Sequence, residues 1–282
     1  MQFLEKNIVQ ARIKVLPCMN QNVVKIAIAR FNCFRKPNDF RKLVDAIADI
    51  NLPYTENSRR YLLAEGVDGK TIFVTGSPMR EVLHAHMESI LQSDVLKRLG
   101  LEKGKYILVS AHREENIDLE DNFMSLMHAL NHMAEVYQMP VIYSTHPRAR
   151  KWIEKRRFVF HPLVQSMQPF GFFDYNHLQM NAFCVASDSG TLSEESAILK
   201  FPGVLIRTST ERPEALDAGS ILIGGICDEG IEQAVNMAVE MFAKKEPLGC
   251  ARDYMDENVS IKVVKLIQSY TDIVRRTVWL EH

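Results

Sequence analysis

Histidine, arginine and acidic side chains gather in four short segments of the sequence. Besides several acids, these segments contain two histidines and four arginines, namely His112, His146, Arg113, Arg148, Arg207 and Arg212. One segment also carries Ser189 and Gly190 at the predicted start of a helix. A guanidinium fork pairs with phosphate, and the unsatisfied N–H groups at a helix start bind anions. Together these residue types indicate an anion-binding active site.

Each of these segments directly follows a short apolar run. The runs predict six strands, at residues 71–75, 106–110, 141–144, 183–187, 203–207 and 220–223. Stretches with helical period separate them, such as residues 121–137. Alternating buried strands and helices form a parallel sheet, whose ligands bind beyond the carboxyl ends of the strands. We therefore predict an α/β fold, a doubly wound parallel sheet with the polar segments at one edge.

The two ends of the chain differ from this pattern. Residues 23–29 predict a strand and residues 40–50 a helix, but no Gly-rich turn joins them. We therefore expect residues 1–75 to form an incomplete amino-terminal Rossmann-like domain. Residues 76–256 are predicted to form the main α/β domain, which carries the four polar segments. Residues 257–282 are predicted to be a long helix that crosses toward the amino-terminal part.

The composition argues against several classes of function. The 282 residues include 34 Lys+Arg and 35 Asp+Glu, a balance that argues against binding along a nucleic-acid backbone. The five cysteines form no CxxC pair, and Ala129 stands where a zinc-binding HExxH motif around His128 and His132 would need glutamate. Because no apolar run is long enough for a membrane helix or a signal peptide, we expect a cytoplasmic protein.

Simpler structural roles also fit several of these residues. Thr191 and Glu194 have the spacing of a helix capping box, which would account for that turn and is also compatible with a bound phosphate. Arg212 lies between two glutamates, and a surface ion pair would account for it. His112 could be a loop histidine held by its neighbours. These alternatives stay open on the sequence alone.

Three motifs make the sequence resemble a known family. They are SAHREEN at 110–116, SDSGTLSEES at 187–196 and RTSTERPEALDAG at 207–219. They resemble the motifs of the non-hydrolysing UDP-N-acetylglucosamine 2-epimerases. The stretch FGFFDYNHLQMNAFCV at 170–185 and the helix at 258–279 resemble the capsule and O-antigen branch of that family, which includes members that form UDP-N-acetyl-L-fucosamine.

The resemblance implies a glycosyltransferase-B-like fold that binds a UDP-sugar between two Rossmann-like domains. By matching motif, Ser189 and Gly190 would hold the diphosphate at a helix start. Arg212 would pair with phosphate, and Glu195 would accept both ribose hydroxyls. The last motif adds two further UDP-binding residues, Arg207 and Glu211.

The family reaction implies catalytic roles for His112 and Arg113. A proton is removed from C2 while UDP leaves by anti elimination, and the glycal is then reprotonated on its other face as UDP adds back. His112 would stabilise the departing UDP, with Arg113 in support, because preorganised cations lower the cost of charge building up on the diphosphate. This reaction implies neither a metal nor a redox cofactor. No nucleic-acid or membrane partner is expected, and a homodimer is left open.

The resemblance fails at the amino-terminal end. The family's Gly-Thr-Arg-Pro-Glu loop is absent, and alignment through residues 32–34 places Ile28, Ala29 and Arg30 at a Glu-Ala-Gly element whose glutamate serves acid–base chemistry. An isoleucine cannot act as a general base. We therefore expect an amino-terminally truncated member that binds UDP weakly and has little epimerase activity by itself. The alternatives are a catalytically defective UDP-binding remnant and a UDP-sugar glycosyltransferase of the same fold.

Overall fold

The structure, a computed structural model, describes residues 26–27, 37–245 and 249–280. The described residues form eight strands: β1 Ile26–Ala27, β2 Ile50–Asn51, β3 Ile107–Ala111, β4 Val141–Thr145, β5 Val164–Met167, β6 Cys184–Ser187, β7 Gly203–Leu205 and β8 Leu222–Ile223. They also form thirteen α-helices: α1 Pro37–Ile47, α2 Glu56–Ala64, α3 Met79–Ala85, α4 Met87–Leu91, α5 Val95–Leu99, α6 Glu114–Ile117, α7 Glu120–Tyr137, α8 Pro147–Arg156, α9 Phe172–Asn181, α10 Leu192–Leu199, α11 Pro213–Asp217, α12 Asp228–Ala243 and α13 Val259–Thr277.

A six-stranded parallel sheet forms the centre of the larger of two compact units, Val82–Met255. Its strand order is β5-β4-β3-β6-β7-β8, and all neighbours run parallel. The chain moves outward from β3 in one direction and later continues from β6 in the other. The order therefore reverses between β3 and β6, as in doubly wound sheets. This arrangement confirms the predicted parallel α/β fold.

Helices cover both faces of this sheet, and successive side chains of a strand pack alternately into two apolar clusters. In β3, Ile107 and Val109 pack into one apolar cluster together with residues of α7 and α12. Leu108, between them, packs into a second cluster with Leu178 and Leu192 of α9 and α10. Successive side chains of a strand point to opposite faces, so a continuous apolar run is what a doubly covered strand requires.

The smaller unit combines the described parts of Met1–Glu81 and Asp256–His282. β1 and β2 form a two-stranded parallel sheet in it. The long helix α13 buries Val274 in a small cluster with Ile50 and Leu52. The helix predicted over 258–279 is thus confirmed, and it belongs to the same unit as the first described residues.

The strand predicted at 71–75 is wrong as a regular strand. The backbone N–H groups of Phe73 and Thr75 do donate to the carbonyls of Asn51 and Pro53, at 3.0 and 3.1 Å. Pro53 has no N–H to return a hydrogen bond, so a parallel ladder cannot continue there. The pairing is limited to one bridge between Asn51 and Ile72.

Two further predictions differ from the structure. The helix predicted at 40–50 is α1, which begins at Pro37 and ends at Ile47. The apolar pattern does not predict β5, because in this edge strand only Val164 is buried.

The predicted alignment of Ile28, Ala29 and Arg30 lies outside the described residues. Within the described ranges, none of the helices has the length and apolar character needed to cross a bilayer.

The packing of α7 gives a direct test of the core. Leu130 of this helix is fully buried, whereas Val136 is 43% exposed. Leu130→Ala should lower the free energy of unfolding by about 2–5 kcal/mol, because it leaves a cavity against the sheet. Val136→Ala, on the same helix, should change it by less than about 0.5 kcal/mol. Urea denaturation followed by circular dichroism measures both, and equal losses would contradict the packing described.

Candidate active site

The carboxyl ends of β3 and β6 meet where the strand order reverses. His112 and Arg113 directly follow β3, and Asp188 directly follows β6. In doubly wound sheets, the crevice at this switch point is where ligands bind. Two of the four predicted polar segments are therefore brought together at the position expected of a binding site.

The buried carboxylate of Asp188 organises the loop that follows β3. It accepts the backbone N–H groups of His112 and Arg113, both at 2.9 Å, and the side-chain amide of Asn116 at 3.1 Å. Nδ1 of His112 lies 3.2 Å from Asp188 Oδ1. Burial acts to raise the pKa of Asp188, but the hydrogen bond and charge of His112 and the backbone N–H groups hold it below its ordinary value. Since an ionised carboxylate only accepts, Nδ1 of His112 carries a proton.

Glu211 forms a buried bridge between Arg113 and Arg207. Arg207 donates to both Glu211 oxygens at 2.6 Å, and Nη1 of Arg113 donates to Oε1 at 2.8 Å. The Nε of Arg113 donates to the backbone carbonyl of Asp188 at 2.9 Å. The Arg207 and Glu211 side chains are 1% and 4% exposed. The structure thus joins both residues to Arg113, and their part in binding UDP stays a prediction.

The turn between β6 and α10 lies beside Arg212. The Oγ of Ser189 and Oγ1 of Thr191 are 2.9 Å apart, and a Cβ placed on Gly190 would lie 3.6 Å from Arg212 Nε. Arg212 is 14% exposed and pairs with the buried carboxylate of Glu194, with Nη1 2.5 Å from Oε1. The alternative that Arg212 forms only a surface ion pair is therefore wrong. Gly190 thus lies beside Arg212, and the part of Ser189, Gly190 and Arg212 in binding a diphosphate stays a prediction.

The capping box at the start of α10 is also wrong. Thr191 is the N-cap residue, but its backbone is helical, with φ −72° and ψ −20°, and its side chain makes no capping hydrogen bond. A side chain caps a helix from an extended backbone, which Thr191 does not have. Glu194 pairs with Arg212 instead. A capping box therefore does not account for this turn.

Glu195, the predicted ribose ligand, lies on α10 and is buried. Nε2 of Gln179 in α9 donates to its Oε2 at 2.6 Å. Burial raises the pKa of Glu195, and hydrogen bonds with Gln179 and Thr191 oppose that rise. These hydrogen bonds join Glu195 to Gln179 of α9 and to Thr191, the residue before α10.

The loop after β4 brings a second histidine to the same edge of the sheet. The ring centroids of His146 and His112 are 6.3 Å apart, and Nδ1 of His146 accepts the backbone N–H of Arg148 at 3.3 Å. Burial, followed by the charges of His112 and Arg148, lowers the pKa of His146. The Arg148 side chain is turned to two acids, Glu114 and Asp118. Among the described residues, no group of three or more histidine, cysteine or acidic side chains is placed to hold a metal ion.

Three residues at the site, Asp188, Asn116 and Gln179, have no role in the sequence-based predictions. Asp188 carries a signal that could have assigned it, because it follows a fully buried strand at the same edge as His112. The side chain of Asn116 connects Asp188 to the backbone carbonyl of Ile206 at 3.2 Å, which ties in the end of β7. Gln179 lies within α9, and the resemblance of residues 170–185 to one branch of the family assigns it no role.

Fold and site together define an α/β protein with a doubly wound sheet and a histidine- and arginine-containing site at its switch point. The sequence model of one family, UDP-N-acetylglucosamine 2-epimerase, matches residues 38–268. The chain belongs to this family. The homologues that carry this name are isomerases.

Individual relatives agree with this assignment. The UDP-N-acetylglucosamine 2-epimerase of Methanocaldococcus jannaschii is 26% identical over 217 residues, which cover 74% of this chain and 59% of the relative. A homolog from Methanococcus maripaludis is 30% identical over 239 residues, which cover 81% of this chain and 63% of the relative. The chain thus spans between 59% and 63% of the length of these two relatives.

Solved structures confirm the fold. The UDP-N-acetylglucosamine 2-epimerase of Rickettsia bellii is 38% identical with a TM-score of 0.78, and the match covers 89% of this chain and 68% of that one. The M. jannaschii enzyme in complex with UDP-GlcNAc and UDP is 23% identical with a TM-score of 0.72, covering 81% of this chain and 63% of that one. The glycosyltransferase-B-like α/β fold is therefore shared.

Asp188→Asn should destabilise the protein by about 1–3 kcal/mol at pH 7, because buried N–H groups lose acceptors. The lowered pKa of Asp188 means that its ionised form stabilises the native state above the unfolded pKa of about 3.9, and that this contribution is lost as the pH falls through the folded-state pKa. The difference between wild type and variant should therefore shrink below about pH 4. Urea titrations at both pH values measure it, and a pH-independent difference would be the contrary result.

Glu211→Gln should destabilise the protein by about 3–5 kcal/mol, because two buried arginines lose the charge that balances them. Glu115→Gln is the matched control, since Glu115 Oε1 lies 3.5 Å from the same Arg113 but its side chain is 47% exposed. This control should change stability by less than about 0.5 kcal/mol. Chemical denaturation compares the two variants, and similar values for both would argue against the bridge described.

Proposed function

We propose that this chain binds a UDP-sugar at the carboxyl edge of its six-stranded sheet. The observation that carries this proposal is the group formed by His112, Asp188 and Arg113 at the switch point of the sheet. A donor-rich loop held by a buried carboxylate is suited to a diphosphate, since backbone and side-chain donors are fixed before the anion arrives. The name of the M. jannaschii structure, a 2-epimerase with UDP-GlcNAc and UDP, supports this class of ligand.

The diphosphate binds in this proposal on the turn at Ser189 and Gly190. Arg212 lies beside that turn, and its guanidinium reaches phosphate while its charge is balanced by Glu194. Glu195 accepts the ribose hydroxyls, and Gln179 holds its carboxylate in place. Arg207 and Glu211 act through Arg113, which they hold at the loop after β3.

The reaction that fits this site is an isomerisation at C2 of a UDP-N-acetylhexosamine. When a base removes the C2 proton, the electrons of that C–H bond form the C1=C2 double bond of a glycal. The bond from C1 to the UDP oxygen breaks at the same time, and that oxygen keeps its electron pair. His112, hydrogen-bonded through Nδ1 to Asp188, stabilises the negative charge that forms on the leaving diphosphate. Return of a proton to the other face of C2 and re-addition of UDP at C1 complete the exchange.

The proposal can be extended to the sugar of the substrate and to the biosynthesis in which the product is used. We infer UDP-N-acetylglucosamine and UDP-N-acetylmannosamine, or an N-acetyl-L-fucosamine nucleotide, as the substrate class, and capsule or O-antigen sugar synthesis as the setting. The support is the resemblance of residues 170–185 and 258–279 to that branch of the family.

Binding and turnover are separate parts of this proposal. The residues proposed to bind UDP belong to the unit Val82–Met255. The general base that turnover needs is not supplied at the aligned position, because Ile28 stands there in place of the acid–base glutamate. We therefore infer UDP binding with little epimerisation by this chain alone. A glycosyltransferase of the same fold is the second candidate, since it would use the same diphosphate and ribose contacts.

Two measurements on the purified chain test these parts. Calorimetry with UDP should show binding, and its absence would overturn the proposed site. Proton NMR of UDP-N-acetylglucosamine in D₂O follows exchange at C2, which should be slow or undetectable. Rapid deuterium uptake would overturn the inference of low turnover while supporting the reaction. Sugar transfer to an added acceptor would instead favour the glycosyltransferase.

Gly190→Ala separates ligand binding from folding. The added Cβ would meet the protein only at ordinary contact distance, 3.6 Å from Arg212 Nε, so stability should change by less than about 1 kcal/mol. The methyl group would occupy the place where a diphosphate approaches the turn, and UDP affinity should fall at least about tenfold, or 1.4 kcal/mol. Calorimetry and thermal denaturation on the same sample measure both. Unchanged affinity would remove the diphosphate from this turn.

A further inference from the structure

His146 is placed beside His112 by the register of the sheet. Ala111 at the end of β3 is paired with Thr145 at the end of β4. The residue that follows each strand is a histidine, and the two rings have centroids 6.3 Å apart with an angle of 42° between their planes. The proposed UDP site uses only one of these two histidines, although both lie at the same edge.

The contacts of His146 fix which of its ring nitrogens can donate. Nδ1 accepts the backbone N–H of Arg148, at 3.3 Å, and so holds no proton in the neutral ring. A neutral imidazole has one N–H, which must then be on Nε2. Among the described residues, nothing accepts a hydrogen bond from that Nε2. His146 therefore carries a donor that is not used within the described part of the protein.

The ring of His112 is also held through Nδ1, but its partner is the carboxylate of Asp188. Its Nδ1 is bound to Asp188, so Nε2 is again the nitrogen left for a ligand. Two rings at this separation can reach oxygens of the same phosphate group with N–H···O distances of about 2.7–2.9 Å. A sugar hydroxyl would not need two donors at one point, whereas a phosphate has several acceptor oxygens to satisfy.

We propose that His146 contacts the diphosphate of the bound nucleotide sugar, donating a hydrogen bond from Nε2 to the phosphate group that His112 also contacts. The proposal rests on the proposed function and adds a second histidine to it. The ligand chemistry is that of a nucleoside diphosphate, and UDP without a sugar contains all of it.

Two substitutions at His146 separate a ligand contact from a helix cap. Asparagine offers an oxygen near the position of Nδ1, so His146→Asn keeps the acceptor at the start of α8 but loses the Nε2 donor. Glutamine places an amide nitrogen near the position of Nε2, so His146→Gln keeps the donor and loses the cap. A role in helix capping alone predicts that asparagine is the better replacement, and a role in phosphate binding predicts the reverse.

The chain offers a matched control in His161. Its Nδ1 accepts the backbone N–H of Leu163 at 3.2 Å, the same local contact as in His146. His161 precedes β5 and therefore lies toward the amino ends of the strands, away from the carboxyl edge. His161→Asn should leave UDP affinity unchanged.

Calorimetry with UDP on the full chain measures all four proteins. We expect His146→Asn to bind UDP about tenfold more weakly, as for the loss of one hydrogen bond to a charged group, and His146→Gln to stay within about threefold of wild type. If His146→Asn keeps wild-type affinity, or is the better of the two variants, the proposed contact is overturned while the UDP site stands. If the wild-type chain itself does not bind UDP, the proposed function falls and this contact with it.

Discussion

The candidate active site depends on one buried charge, the carboxylate of Asp188. Removing a carboxylate from water is costly unless donors replace the lost hydration, and here the donors come from the loop after β3. Asn116 extends the same set of hydrogen bonds to the end of β7. Three strand ends are thereby fixed relative to one another. His112 is held in position because its own backbone N–H is one of the donors that this carboxylate accepts.

The arginines of the site are also buried charges that need partners. Arg207 and Arg212 are each paired with a glutamate that is itself almost fully buried, Glu211 or Glu194. Buried ion pairs contribute little net stability, because desolvation offsets the attraction between the charges. Their effect is to hold donors in fixed directions, which is what stabilisation of a developing anion requires. A site with balanced charges also suits a proposed reaction in which UDP must leave and then return.

The parts of the structure that follow from local sequence were predictable. Continuous apolar runs predict the central strands, and polar residues within two positions of a strand end, such as His112 and Ser189, must lie at the carboxyl edge. The edge strand β5 lacks such a run, and at residues 71–75 a proline on the neighbouring segment prevents a regular ladder. The bridge through Glu211 was not predictable, because it joins Arg113 to a residue 98 positions away. Contacts of that kind depend on sheet register, which no local pattern specifies.

The register between β3 and β4 places two histidines side by side, and their different hydrogen-bond partners determine which ring nitrogen can donate. Each ring is anchored through Nδ1, but the partner of His112 is a carboxylate and that of His146 is a backbone N–H. An ionised carboxylate requires a proton on the Nδ1 that it pairs with, whereas an N–H donor requires an unprotonated Nδ1. Burial, followed by the charges of His112 and Arg148, lowers the pKa of His146. Identical side chains at adjacent strand ends are thus given different hydrogen-bonding roles by the groups behind them, because Nδ1 donates in His112 and accepts in His146.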